Sequence, residues 1–176
     1  RIFGKKFGET LYSVNLVPLG AFVKIYGEEG PDASEAGSAG SPVYGVDDYQ
    51  SGLVRGEETA KLLGGKGTVA FITSLGANNL QRRLEGARQS LAKYPGISIV
   101  ETYDIKEDST RCQELIATGS NRYPTLGAWI SVGGWPVFSA NALEPVPATT
   151  KFVSFDTVES ALALLRAGKV QVLLGQ

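Results

Sequence analysis

The sequence predicts an α/β protein: a doubly wound, mostly parallel sheet in three layers, α-β-α, preceded by a β-hairpin appendage. Three observations predict it. The runs "TVAFITS" and "GAWISV" are almost unbroken in apolar residues, the pattern of strands covered on both faces. Amphipathic segments of helical period alternate with such runs from residue 43 onward. The links between them are short, so successive strands run parallel and are joined by right-handed crossovers.

Taken in order, residues 10–17 and 21–26 are β-prone, and "PLG" between them is turn chemistry, which predicts a hairpin over residues 1–29. An isolated hairpin is marginal in water and needs a partner surface, a bilayer or the remainder of a larger protein. Residues 30–42, "GPDASEAGSAGSP", are small, polar and glycine-rich. They offer too little apolar surface to offset their ordering entropy and predict a flexible linker. Beyond it, the pattern predicts strands at 42–46, 68–74, 97–103, 126–132, 151–155 and 170–174. Helices are predicted at 49–63, 79–93, 109–117, 136–143 and 158–167. In "VESALALLRAG", Val158, Ala161, Leu162 and Leu165 share one helical face, and Gly168 suits the exit.

Composition narrows the function. A length of 176 residues allows one domain with a core, or one domain plus an appendage. A formal charge of −1, without a basic-aromatic stripe, argues against nucleic acid. With no histidine, the commonest zinc ligand and general base are missing, and Ser-His-Asp and Cys-His chemistry lack a required part. The single cysteine, Cys112, cannot form an internal disulfide and reads as a quiet helical residue. No apolar run reaches membrane-span length. The chain starts at Arg1 and reads as a fragment, so a missing signal peptide carries no information about export. No catalytic residue, metal ligand or cofactor is expected.

In open α/β sheets ligands bind beyond the carboxyl ends of the strands. The residues at those ends are Asp47 and Asp48; Asn78, Asn79 and Arg83; Asp104 and Glu107; Gly133, Gly134 and Trp135; Asp156; and Gly175 and Gln176. This set holds carboxylates, amides, a guanidinium and an indole, without a nucleophile-base pair. It suits a neutral polyhydroxylated ligand, since such groups accept from or donate to hydroxyls and an aromatic face covers a sugar ring. Each residue also has a plainer reading. Asn78 or Asn79 serves equally as a helix cap, Asp156 as a turn residue or cap, Trp135 as core, and Arg82 as a solvated helix residue. "LGGKGT" looks like part of a phosphate loop, but it leaves a helix and enters a strand, so it reads as a helix C-cap with a turn.

Residues 43–176 resemble the type I periplasmic sugar-binding proteins of ABC transporters, the ribose- and galactose-binding group. The stretches that carry the likeness are "GVDDYQSGLVRGEETAKLLGGKGTVAFITS", "NNLQRRLEGARQSLAKYPGISIVET", "WISVGGWPVFSANAL" and "FVSFDTVESALALLRAGKVQVLLGQ". The resemblance implies a partial lobe that binds a small-molecule sugar, does no catalysis and delivers to a transporter permease from the periplasm or cell exterior, free or lipid-anchored. It implies that Asn79, Arg83, Asp156 and Gln176 meet sugar hydroxyls, with Trp135 stacking and Asp47 and Asp48 at the hinge or cleft edge. "GGWP" stands where many relatives carry an Asn-Asp pair. Adjacent helix positions differ by about 100°, so with Arg83 toward ligand, Arg82 faces solvent.

"GKKFGETLYSVNLVPLGAFVKIYGEEG" resembles the β-hairpin region of site-2-type intramembrane metalloproteases, with Ala21 where those carry a second glycine. Their histidine-based zinc site has no counterpart here, and any membrane contact is confined to residues 1–29. Two other readings therefore stand beside sugar binding: a catalytically dead protease fragment fused to an unrelated lobe, and the sensing domain of a LacI-type regulator.

Overall fold

A computed structural model of the chain describes residues 3–7, 10–14, 47–139 and 141–175. The chain divides into two compact units, Arg1–Gly45 and Val46–Gln176. In the first, β1 (Phe3–Phe7) pairs antiparallel with β2 (Thr10–Val14), with Phe7 opposite Thr10. This pairing, across the Gly-X pair Gly8-Glu9 of the sequence, was not anticipated. The expected "PLG" turn lies outside the described residues. The expected strand at 21–26, the linker at 30–42 and the strand at 42–46 lie outside the described residues.

The second unit holds α1 (Asp48–Leu62), β3 (Lys66–Thr73), α2 (Asn78–Leu91), β4 (Gly96–Asp104), α3 (Ser109–Arg122), β5 (Ala128–Ser131), β6 (Lys151–Phe155), α4 (Glu159–Arg166) and β7 (Val172–Leu174). All pairings among its strands are parallel, in the order β4-β3-β5-β6-β7. The chain moves one way from β3 to β4 and the other way from β4 to β5. The topological switch point therefore lies between the carboxyl ends of β3 and β5, where α/β sheets place their ligands.

Alternate residues of the central strands feed two separate cores. Val69, Phe71, Ala128 and Ile130 face α1 and α2, meeting Ala60, Leu80, Leu84, Ala87 and Leu91. Ala70, Ile72 and Trp129 face the other layer, meeting Cys112 and Ile116 of α3 and Ala161 and Leu164 of α4. Both faces of β3 and β5 are covered, which is why their sequences lack polar alternation. Cys112 is fully buried, and burial pushes its thiol up to about 12, as suits an inert core residue.

Three local expectations change. Residues 136–143 form a single 3-10 turn, Trp135–Val137, followed by further one-turn bonds such as Ala142 N–H to the Ser139 carbonyl. Ser139, Asn141, Pro145 and Pro147 favour turns over a continuous helix. In α4 the buried face is Ala161 and Leu164, while Val158 and Leu165 are exposed. Neighbouring leucines at 164 and 165 made the phase of so short a helix ambiguous. Helix α3 runs five residues past its expected end at 117. "LGGKGT" is the helix exit it was read as: Gly64 N–H bonds the Lys61 carbonyl and Gly65 N–H bonds the Ala60 carbonyl, both glycines at positive φ.

Helices α1 and α2 cross at glycines. A Cβ on Gly52 would stand 2.1 Å from the Arg83 carbonyl oxygen, and one on Gly86 would stand 2.2 Å from that of Tyr49. Gly86→Ala therefore forces the helices apart and should cost about 1–3 kcal/mol, read as a lower urea midpoint. Gly76→Ala, where a Cβ meets open space, should change stability by less than about 0.5 kcal/mol.

Candidate functional site

The carboxyl rim of the sheet gathers most of the polar residues expected there. Arg83 enters from the second turn of α2 and is 6% exposed. Its Nε donates to Asp48 Oδ1 at 2.6 Å, and its guanidinium lies 4.0 Å from the centre of the Phe155 ring. Asp48 opens α1, so the Gly52 crossing that brings the two helices together also brings this pair together. Arg82 is exposed, as the angular offset requires. Asp156 directly follows Phe155 at φ 72°, a left-handed conformation unusual for a residue with a Cβ. Val158, not Asp156, is the N-cap residue of α4. The Asp156 carboxylate turns toward β5, where a Cβ on Gly134 would stand 1.9 Å from its Oδ2. The glycine is required there by the carboxylate. Arg83 and Asp156 thus approach the same strand end, around Phe155.

Other expected residues divide. Asp47 is exposed and caps α1, accepting from Gln50 N–H at 3.1 Å. Asn78 and Asn79 are both exposed in the first turn of α2. The N-cap of α2 is Ala77, without a side-chain bond, so neither amide acts as the cap and both stand open at the rim. Trp135 is half-buried, packs against both cores and lies over Gly133. Part of the indole remains open at the rim. Gln176 lies outside the described residues. Asp104 accepts from Leu75 N–H and Lys106 N–H, and with Ser74, Gly76, Lys106 and Glu107 it lines a shallow depression of about 340 Å³. Lys106 and Glu107 have φ of 53° and 60°. All three left-handed non-glycine residues among those described therefore sit on this rim, the pattern expected where backbone strain serves a site.

Arg55 was not anticipated. It is fully buried in α1, its guanidinium 4.6 Å from the centre of the Phe155 ring. Its Nη1 donates to the Ser131 carbonyl at 2.8 Å, while Nε and Nη2 find no acceptor among the described residues. Burial pushes the guanidinium down to about 9. Nearby Arg83 acts in the same direction and Asp156 opposes it. A signal was present in the sequence: Gly52, Arg55, Gly56, Thr59 and Ala60 form one buried stripe of helical spacing, and Arg55 is its only charged member. Among the described residues no cluster of His, Cys, Asp and Glu could hold a metal, and no helix is long and apolar enough to cross a membrane.

Comparison with known proteins assigns the family. The periplasmic binding protein domain matches residues 31–176. The chain belongs to that family. Among solved structures, an ABC transporter solute-binding protein from Burkholderia graminis C4D1M, in complex with D-arabinose, is 31% identical, with a TM-score of 0.66 over 70% of this chain and 45% of its own. AraP, an arabinose-binding protein from Geobacillus stearothermophilus, is 30% identical, with a TM-score of 0.65 over 70% of this chain and 44% of its own. GanP, a glucose-galactose binding protein from the same organism, is 26% identical, with a TM-score of 0.65 over 72% of this chain and 46% of its own. A comparison with curated proteins finds no match. The chain spans less than half the length of these three relatives. The likeness of residues 1–30 to site-2-type proteases rests on its short motif alone.

The orphaned donors of Arg55 give a stability test. Burial opposes the charged guanidinium, and only one of its nitrogens has a hydrogen-bond acceptor among the described residues. Arg55→Met should therefore be more stable than the wild type by about 1–4 kcal/mol, read as a higher midpoint in paired urea melts.

Proposed function

We propose that this chain binds a sugar without reacting with it, as part of the substrate-binding protein of an ABC sugar transporter. The observation that carries this reading is the meeting of Arg83 and Asp156 around Phe155 at the carboxyl rim of the sheet, in a chain whose family is one of binding proteins. The ligands in the names of its relatives, D-arabinose and glucose-galactose, fit the same class. The family implies a periplasmic or extracellular location, and the partner is a transporter permease.

The chemistry follows from the donors and acceptors. Arg83 Nε is committed to Asp48, and the rest of its planar fork has no acceptor among the described residues. That fork suits the adjacent oxygens of a sugar. Asp156 accepts from hydroxyls, and the exposed amide of Asn79 supplies both kinds of group. The family resemblance adds Gln176, which lies outside the described residues. Asp48 holds Arg83 in place, while Asp47 caps the start of the helix on which Asp48 sits. A site built to hydrogen-bond hydroxyls discriminates strongly against ligands that lack them.

One lobe presents one side of a cleft, so affinity in the millimolar range is expected. Isothermal titration with D-arabinose, D-glucose and D-galactose should detect it. Arg83→Ala should weaken binding about 10- to 100-fold, the range for a hydrogen bond from a charged donor. A folded wild-type sample that releases no heat with any of the three at tens of millimolar would count against sugar binding by this chain.

A further inference from the structure

Arg55 is a buried charge that the fold alone does not need. Its guanidinium is sealed from solvent, Nη1 alone has an acceptor, and Nε and Nη2 have none among the described residues. A donor that loses its water without gaining a partner opposes folding. An apolar side chain of similar volume would fill the same place on the stripe of Gly52, Gly56, Thr59 and Ala60 without that cost.

Its contacts lie under two neighbouring strand ends. Nη1 donates to the carbonyl of Ser131, the last residue of β5, and Ser131 Oγ donates in turn to the Gly133 carbonyl. The guanidinium lies 4.6 Å from the ring centre of Phe155, the last residue of β6. Arg83 rests on the same ring at 4.0 Å. One side chain of α1 thus reaches the backbone of one strand exit and the aromatic anchor of the other.

Both exits need holding. The pairing of β5 with β6 ends at Ile130 opposite Val153, one residue short of Ser131 and two short of Phe155. Beyond it, the first exit carries Gly133 and Gly134, and the second carries Asp156 at φ 72°. The exits also meet, since a Cβ on Gly134 would stand 1.9 Å from Asp156 Oδ2. A small drift of either backbone therefore moves the Asp156 carboxylate relative to Arg83.

We propose that Arg55 is a positioning residue: from beneath the rim it ties the Ser131–Gly134 exit of β5 to the Phe155–Asp156 exit of β6, so that the site is rigid before a ligand arrives. It touches no ligand. It acts through Ser131 and Phe155, and the fold gives up stability to keep it. This rests on the sugar-binding reading above and gives the buried charge a part in it.

The experiment compares the wild type, Arg55→Met and Thr59→Val by urea melt, by titration with D-arabinose, D-glucose and D-galactose, and by amide spectra without sugar. Thr59 is the control, buried on the same stripe with its hydroxyl on the Arg55 carbonyl and on neither exit. Arg55→Met should have the higher urea midpoint yet bind about 2- to 30-fold more weakly, the range for residues that modulate a site they do not touch. Its sugar-free amide signals at Gly133, Gly134 and Asp156 should broaden. Thr59→Val should bind as the wild type does. Opposite shifts in stability and affinity separate positioning from packing, which moves both together. Wild-type affinity in Arg55→Met, a midpoint below that of the wild type, or equal weakening in Thr59→Val overturns the proposal. If the wild type binds none of the three sugars, the sugar reading falls and the amide signals decide: broadening in Arg55→Met supports the brace, and unchanged signals overturn it.

Discussion

The site depends on how closely α1 can approach α2. Gly52 lets the first helix rest on the carbonyl of Arg83, and Gly86 lets the second rest on that of Tyr49. With a side chain at either point the helices separate, and the consequences reach the rim. Asp48, one turn before Gly52, moves away from Arg83. Arg83 loses the partner that holds its guanidinium on Phe155. Arg55, on the same stripe of α1 as the glycines, loses its place against the Ser131 carbonyl. A packing contact on the back of the sheet thus sets the chemistry at its end.

The rim is polar, yet its nearest charges pair. Two guanidiniums share one aromatic ring, which spreads their field over a polarisable face. Asp48 forms an ion pair with Arg83, and Asp156 acts on Arg55 from a distance. What remains at the rim is hydrogen-bonding capacity: the rest of the Arg83 fork, the Asp156 carboxylate and the exposed amides of Asn78 and Asn79. The positive φ angles at Lys106, Glu107 and Asp156 show where the backbone departs from its easy conformations to present those groups.

Much of this was legible in the sequence. Strands with both faces buried carry unbroken apolar runs, so β3 and β5 were plain, and the alternation around them gave the layers and the rim. Arg83 and Arg82 were separable by helix geometry alone. Other features depend on tertiary context. Whether residues 136–143 form a helix or turns is decided by prolines and hydroxyl and amide side chains competing with helical bonding over a few residues. Which of Leu164 and Leu165 faces inward depends on how α4 is rolled, and eight residues do not fix its phase. Arg55 could be found only by accepting a charge on a buried stripe, against the usual rule. That Trp135 also packs against both cores, over Gly133, is a tertiary contact that sequence spacing does not show.

The central claim is spatial: groups far apart in the sequence act as one surface at the carboxyl edge of the sheet. Amide and arginine Nε–H chemical-shift mapping during titration with D-glucose or D-arabinose tests it most directly. The account predicts shifts confined to residues 74–83, 104–107, 131–138 and 154–158, with the Arg83 Nε–H among the largest. Shifts confined to the outer groove of α1 and α2, near Leu53, Glu57 and Lys93, would contradict it.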